Sequence, residues 1–157
     1  MKIKINYFVA PLGVFAVSFF GSRITSANMA WYKTLVLPPI APPGWFIGLV
    51  WTVIFILATV SILLFWNREK TVFGKRLIGE LFVLNGALNV FWSAVFFGQH
   101  LLGWAIVEMI VLNITNLVLI IWLWQKKHKA SSILLWPYFG WVCFATFLAS
   151  WIWMLNK

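Results

Sequence analysis

Residues 44–66 read G-W-F-I-G-L-V-W-T-V-I-F-I-L-A-T-V-S-I-L-L-F-W, a run without a single charge, set between P-P and N-R-E-K. At a helical rise of about 1.5 Å per residue, such a run crosses a hydrocarbon core of about 30 Å. It is continuously apolar and does not alternate with period two, so it predicts a spanning helix and not a barrel strand. Four more stretches, near residues 5–24, 77–98, 103–124 and 133–155, are similarly apolar and carry at most one charge each, Arg23, Glu80 and Glu108. The fold class expected is an all-α integral membrane protein: one domain over residues 1–157, a five-transmembrane-helix bundle with a long structured loop between its first two helices.

Composition supports this reading. Hydrophobic residues make up 63% of the chain, charged residues 10%, and the mean hydropathy is +0.95. Soluble domains hold about 45–50% apolar residues and could not bury this much apolar surface. The single Cys143 excludes an internal disulfide, and His100 and His128 have no cysteine near them, so no metal is expected. The formal charge of +9 is carried in short clusters between the apolar runs, which points to lipid headgroups and not to nucleic acid. Lys2, Lys4, Arg68, Lys70, Lys75, Arg76, Lys126, Lys127 and Lys129 fall on one side, against Arg23, Lys33 and Lys157 on the other. That bias predicts a cytoplasmic N-terminus and an outside C-terminus, in a bacterial plasma membrane. The first run also has the outline of a signal peptide, with Lys2 and Lys4 before it and Gly21-Ser22 after it.

Twelve tryptophans stand in the chain, most of them at the ends of apolar runs, where an indole meets the headgroup boundary. Trp51, Trp92 and Trp141 lie inside their runs and need another reason to be there. Counting helical rise, Trp51, Trp92 and Glu108 come from three helices to a common layer about 8–10 Å below the outer surface, with Asn89 and Asn85 one and two turns deeper. Asn85, Asn89 and Trp92 share one face of the third helix; Ala87, Ala94 and Gly98 share the opposite, small face, which predicts a homodimer contact. On the fifth helix Trp141, Ala145 and Leu148 form a stripe, read either as core or as a site wall. Buried Glu108 faces a cavity or pairs with Asn113, Asn116 or a loop cation. Glu80 is assigned to favourable helix-end electrostatics. Above this layer, residues 25–43 form an outside loop stiffened by Pro38-Pro39 and Pro42-Pro43, either a connector or a lid.

Three segments carry a resemblance: W-Y-K-T-L-V-L-P-P-I-A-P-P-G-W-F-I-G-L-V-W-T at 31–52, L-N-V-F-W-S-A-V-F-F-G at 88–98, and P-Y-F-G-W-V-C-F-A-T-F-L-A-S-W-I-W-M-L-N at 137–156. In order and spacing they resemble the TspO/MBR (tryptophan-rich sensory protein, translocator protein) family over nearly the whole chain. The resemblance implies five spanning helices, commonly dimeric, around a pocket for porphyrins, benzodiazepine-receptor-type ligands and, in animal members, cholesterol. Its motifs fall on Pro42, Pro43, Trp45, Trp51 and Thr52; on Leu88, Asn89 and Trp92; and on Pro137, Tyr138, Trp141, Phe144 and Ala145, with Tyr32 and Trp104 also matching family aromatics. Leu49, Phe55, Ala94 and Ala149 depart from the family's usual residues, and no tyrosine and cation follow Leu148 as a sterol motif would need.

The function expected is a membrane receptor or binding protein for a flat tetrapyrrole, clamped by Trp51, Trp92 and Trp141 and oriented by Tyr32, Asn85 and Asn89, with transport as a consequence. Protoporphyrin would be ligand or substrate, and no resident cofactor is expected. The resemblance also allows light- and oxygen-dependent breakdown of bound protoporphyrin, with Trp51 and Trp141 as oxidisable neighbours. A third reading is a structural partner of other membrane proteins.

Overall fold

The structure, a computed structural model, describes residues 5–157; Lys2 and Lys4 lie outside the described residues. The elements are α1 (Asn6–Ala27), α2 (Met29–Tyr32), α3 (Gly44–Arg68), α4 (Val72–Ser93), a π-helical turn (Ala94–Gly98), α5 (Leu102–Gln125), α6 (Lys129–Ile133) and α7 (Trp136–Leu155). Five segments are long and apolar enough to cross a membrane: Asn6–Ala27, Gly44–Arg68, Val72–Gly98, Leu102–Gln125 and Lys129–Leu155.

Three boundaries differ from the sequence reading. The first span continues to Ala27, beyond residue 24, and α2 then occupies part of the stretch taken as loop. The third span begins at Val72, before residue 77, because Thr71 caps it: its Oγ1 accepts from the Gly74 N–H at 3.1 Å. Glycine is required there, since a Cβ on Gly74 would stand 2.7 Å from that oxygen. The last span is broken into α6 and α7 at Leu134 and Leu135, and Pro137 sits in the first turn of α7, where its missing N–H costs no helical bond.

The spans neighbour one another in the order α3, α1, α4, α5, α7. α1 meets α4 closely because Gly86 leaves room for it; a Cβ there would come within 2.9 Å of Val17. α3 and α7, at the two ends of this order, do not pack closely. Their seam is bridged by rings, Trp51 to Tyr138 at 5.9 Å and Phe46 to Trp141 at 6.4 Å. Nearer the basic loops α3 is tied to α6, where the Ser61 hydroxyl donates to the Ser131 carbonyl at 2.8 Å. The helices therefore form an incomplete ring.

Two apolar cores fill it. One, around Phe65, Ile78, Leu119 and Leu123, lies toward the basic loops; the other, around Ile54, Phe96, Met109 and Val142, lies toward the opposite end. The basic end is also fastened by polar groups. Glu69 accepts from the Thr71 hydroxyl at 2.6 Å and the Thr71 N–H at 2.8 Å, and its other oxygen meets His128 Nε2 at 2.9 Å, joining the α3–α4 loop to the start of α6. The Thr71 hydroxyl, the Thr71 N–H and His128 hold the Glu69 carboxyl down to about 2. Glu80, assigned to helix-end electrostatics, instead forms an exposed ion pair with Arg76 at 2.8 Å.

Candidate ligand cavity

A cavity of about 700 Å³ occupies the end of the bundle away from the basic loops. Three tryptophans from three helices face it: Trp51 on α3, Trp92 on α4 and Trp141 on α7. The α7 stripe continues the wall, with Phe144, Ala145 and Leu148 all lining the cavity. Asn89 stands at its floor, where its amide donates to the Tyr138 hydroxyl at 3.1 Å. α1 supplies small and hydroxyl-bearing residues, among them Ser18, Gly21 and Thr25.

The proline-rich segment forms the roof. Tyr32, Lys33, Ala41 and Pro42 line the cavity, so the segment is a packed cover and not a loose connector. It is held from two sides. Trp31 stacks on His100 with ring centres 3.9 Å apart, and Asn156 beyond α7 both accepts from the Val36 N–H at 2.9 Å and donates to the Val36 carbonyl at 3.0 Å. Tyr32 packs against Phe97 at 5.5 Å, and burial raises its phenol above the ordinary value.

Several residues singled out from sequence lie elsewhere. Asn85 does not reach the cavity: its amide turns to α5 and donates to Thr115 and Asn116, both at 2.9 Å. One helical turn decides the difference, since Asn89 meets α7 where Asn85 meets α5. Glu108 is only 7% exposed and does not line the cavity, and its carboxylate oxygens have no hydrogen-bond partner. Of its expected partners, Asn113 donates to Cys143 at 3.1 Å and Asn116 accepts from Asn85. Trp45 and Trp104 are 71% and 67% exposed and stand on the outer surface, as boundary tryptophans do. On the small face of the third span Ala87 and Gly98 are exposed and Ala94 half-buried. The close approach inside the bundle uses Gly86 instead, one position away.

The structure adds to the cavity three aromatic residues that the sequence reading did not assign to it, Phe55 on α3 and, in the π-helical turn, Phe96 and Phe97. Phe96 and Phe97 are adjacent in the chain, yet both line the cavity beside Trp92, with ring centres 5.3 and 5.8 Å from it. A regular α-helix sends neighbours about 100° apart. Here the turn is π-helical, closed by the Gln99 N–H donating to the Ala94 carbonyl at 2.8 Å, and the wider turn swings both rings inward. Two phenylalanines just before a glycine that ends the span were the available signal.

Outside the cavity, a groove of about 360 Å³ runs along the seam between α3 and α7. Its lining is wholly apolar, including Leu49, Val53 and Pro137, and Trp141 and Phe144 belong to groove and cavity alike. On this side the cavity wall is one side chain thick.

A profile of the TspO/MBR family matches residues 9–154. The chain is 35% identical over 155 residues to a tryptophan-rich protein TspO of Bacillus cereus, covering 99% of this chain and 97% of that one. It is 32% identical to a tryptophan-rich protein TspO of Archaeoglobus fulgidus, over 92% and 93% of the two chains. Against the human translocator protein the identity is 30%, over 88% and 82%. The chain is therefore a multi-pass integral membrane protein that belongs to the TspO/MBR family.

Proposed function

We propose that the chain is a membrane receptor for protoporphyrin-type tetrapyrroles, which it holds in the cavity beneath its proline-rich roof and can pass on in transport. The observation that carries this reading is the meeting of Trp51, Trp92 and Trp141 around a partly open cavity of about 700 Å³. That volume suits a drug-sized or larger flat ligand, and apolar walls with a few placed polar groups are what such ligands require. Benzodiazepine-receptor-type ligands, also flat and apolar, fit the same description. A homodimer through the exposed small positions Ala87 and Gly98 belongs to the same proposal, as does an orientation with the roof outside a bacterial plasma membrane.

A second reading has its own support: Trp51 and Trp141 both line the cavity, so a photoexcited porphyrin would lie against oxidisable indoles. Titration of the purified protein with protoporphyrin in the dark, followed by illumination in air, separates the two. Saturable dark binding without pigment loss is the result expected for a receptor. Light-dependent loss beyond that of free pigment favours porphyrin breakdown, and absence of dark binding removes both.

A further inference from the structure

The walls of the cavity differ in chemistry from one side to the other. α4, the π-helical turn and α7 present rings, among them Trp92, Phe96 and Phe144. α1 presents Ser18, Ser22, Thr25 and Ser26, spaced by four, three and one residues and therefore on one helical face. On the other spans the hydroxyls of Thr52, Thr59, Ser61, Thr115, Thr146 and Ser150 each donate to a carbonyl at 2.7–2.8 Å. Among the described residues, the four hydroxyls on α1 have no such partner. Neither has Ser93 of α4, which is only 5% exposed, lines the cavity and stands with its Oγ 3.5 Å from where a Cβ on Gly21 of α1 would be.

This face is open to the surface. Ser22 and Ser26 are exposed, as are the cavity-lining Gly48 and Thr52 of α3. Hydrogen bonds between α1 and α3 lie at the far end, where Asn67 accepts from Asn6 at 3.4 Å and donates to the Tyr7 hydroxyl at 3.1 Å. Against hydrocarbon a hydroxyl without a partner is costly, and a run of them on one face multiplies the cost. α1 thus needs polar company along about 12 Å, the helical rise from Ser26 to Ser18. We propose that the α1 face is a hydrated strip, open at the roof end between α1 and α3, and that a bound ligand turns its hydrogen-bonding edge to the strip and its ring faces to the aromatic wall. A hydroxyl both donates and accepts, and a water held on it does the same, so the strip fixes the orientation of a polar edge of either kind. The strip follows from the protein alone; the seating of the ligand rests on the tetrapyrrole reading.

The test reads thiol accessibility. In a Cys143→Ser background, Ser18→Cys, Ser22→Cys, Ser26→Cys and Phe20→Cys are reconstituted singly in nanodiscs, after parent-like unfolding midpoints in dodecyl sulfate show that each is folded. They are treated with a charged, lipid-insoluble methanethiosulfonate, with and without saturating protoporphyrin in the dark. Phe20 is the reference, because it lies between Ser18 and Ser22 along α1, is 57% exposed and does not line the cavity. A thiol reacts as its thiolate, which forms where water solvates it, so the three serine positions should react about tenfold or more faster than Phe20→Cys. Protoporphyrin should slow Ser18→Cys and Ser22→Cys by about three- to tenfold, in line with how completely a pocket covers its ligand, and leave Phe20→Cys unchanged. Reaction at Ser18→Cys no faster than at Phe20→Cys means a dry face and overturns the strip. Reaction that protoporphyrin does not slow, in variants that bind it by fluorescence titration, overturns the seating. A parent chain that binds no protoporphyrin removes the tetrapyrrole reading, while the accessibility ratios still decide the strip.

Discussion

Replacing Asn85 by Leu tests whether its amide holds the bundle together or serves a ligand. Asn85 donates to Thr115 and to Asn116, both at 2.9 Å, across the α4–α5 contact. Interhelical hydrogen bonds within membranes contribute about 0.6 kcal/mol each on average, and up to about 1.7. Thr115 keeps its bond to the Leu112 carbonyl at 2.7 Å, so it is not orphaned. Asn116 is, because it is 1% exposed, its Nδ2 has no hydrogen-bond partner among the described residues and its Oδ1 loses the bond from Asn85. Adding that desolvation cost, the loss should be about 3 kcal/mol. Leu has the same branched side-chain skeleton as Asn and is the bulkier of the two, so no cavity is left. Removing the orphan too, in Asn85→Leu with Asn116→Leu, should be less damaging than the sum of the two single changes by about 1–2 kcal/mol. Reversible unfolding in mixed micelles titrated with dodecyl sulfate measures all three. Because Asn85 lies off the cavity, dark protoporphyrin affinity of the folded variant should stay within about twofold of the parent. Full stability combined with lost affinity would refute the reasoning and return Asn85 to the ligand.

Three further outcomes are expected. Glu69→Gln should lower stability by about 2 kcal/mol at neutral pH, since it weakens charge-assisted bonds to Thr71 and His128. The folded Glu69 carboxyl titrates below its unfolded value, so this contribution is complete above about pH 5 and is lost as pH falls toward 2; thermal unfolding of both proteins across that window should show the gap closing, and a constant gap would contradict it. Trp51→Phe and Trp141→Phe should each weaken dark porphyrin binding by about 1 kcal/mol, whereas the exposed Trp104→Phe should not, and equal titration curves for all three would move the site elsewhere. Ala87→Leu should lower the dimer fraction in mild detergent, read by light scattering, because small side chains govern close helix contact in lipid; an unchanged fraction places the interface on another face.

The five spans were legible because an apolar run of spanning length with at most one charge has few alternatives in water or lipid. The run from Gly44 to Trp66 settles its own helix, and the structure extends it only to Arg68. Trp51, Trp92 and Trp141 could be picked out by depth alone, since a tryptophan away from the boundary must face protein. Facing is harder to read than depth. Asn85 and Asn89 lie on the same side of one helix, and nothing in the chain says that one looks at α5 and the other at α7. Glu108 is buried as expected but does not line the cavity, because the α5 face that carries it packs in the interior. Phe96 and Phe97 escaped because helical periodicity assumes one geometry, and the turn that carries them has another. Exposed Trp45 and Trp104 match family aromatics in sequence, yet a match of residue type carries no information about which way a ring points.

The incomplete ring bears on how far the pocket can adapt. On the side of α4, α5 and α7, widening means prising packed helices apart and forfeiting contacts along their length. Across the α3–α7 seam it means turning Trp141 and Phe144, at a cost of about 0.5–1.5 kcal/mol for each side chain taken off its preferred rotamer. On this side the wall can therefore yield without movement of the backbone. Under the receptor proposal, a ligand broader than the cavity would press toward the bilayer between α3 and α7, and a narrow one would leave the two rings at rest. Such a site would discriminate less on width than on the groups its packed helices present.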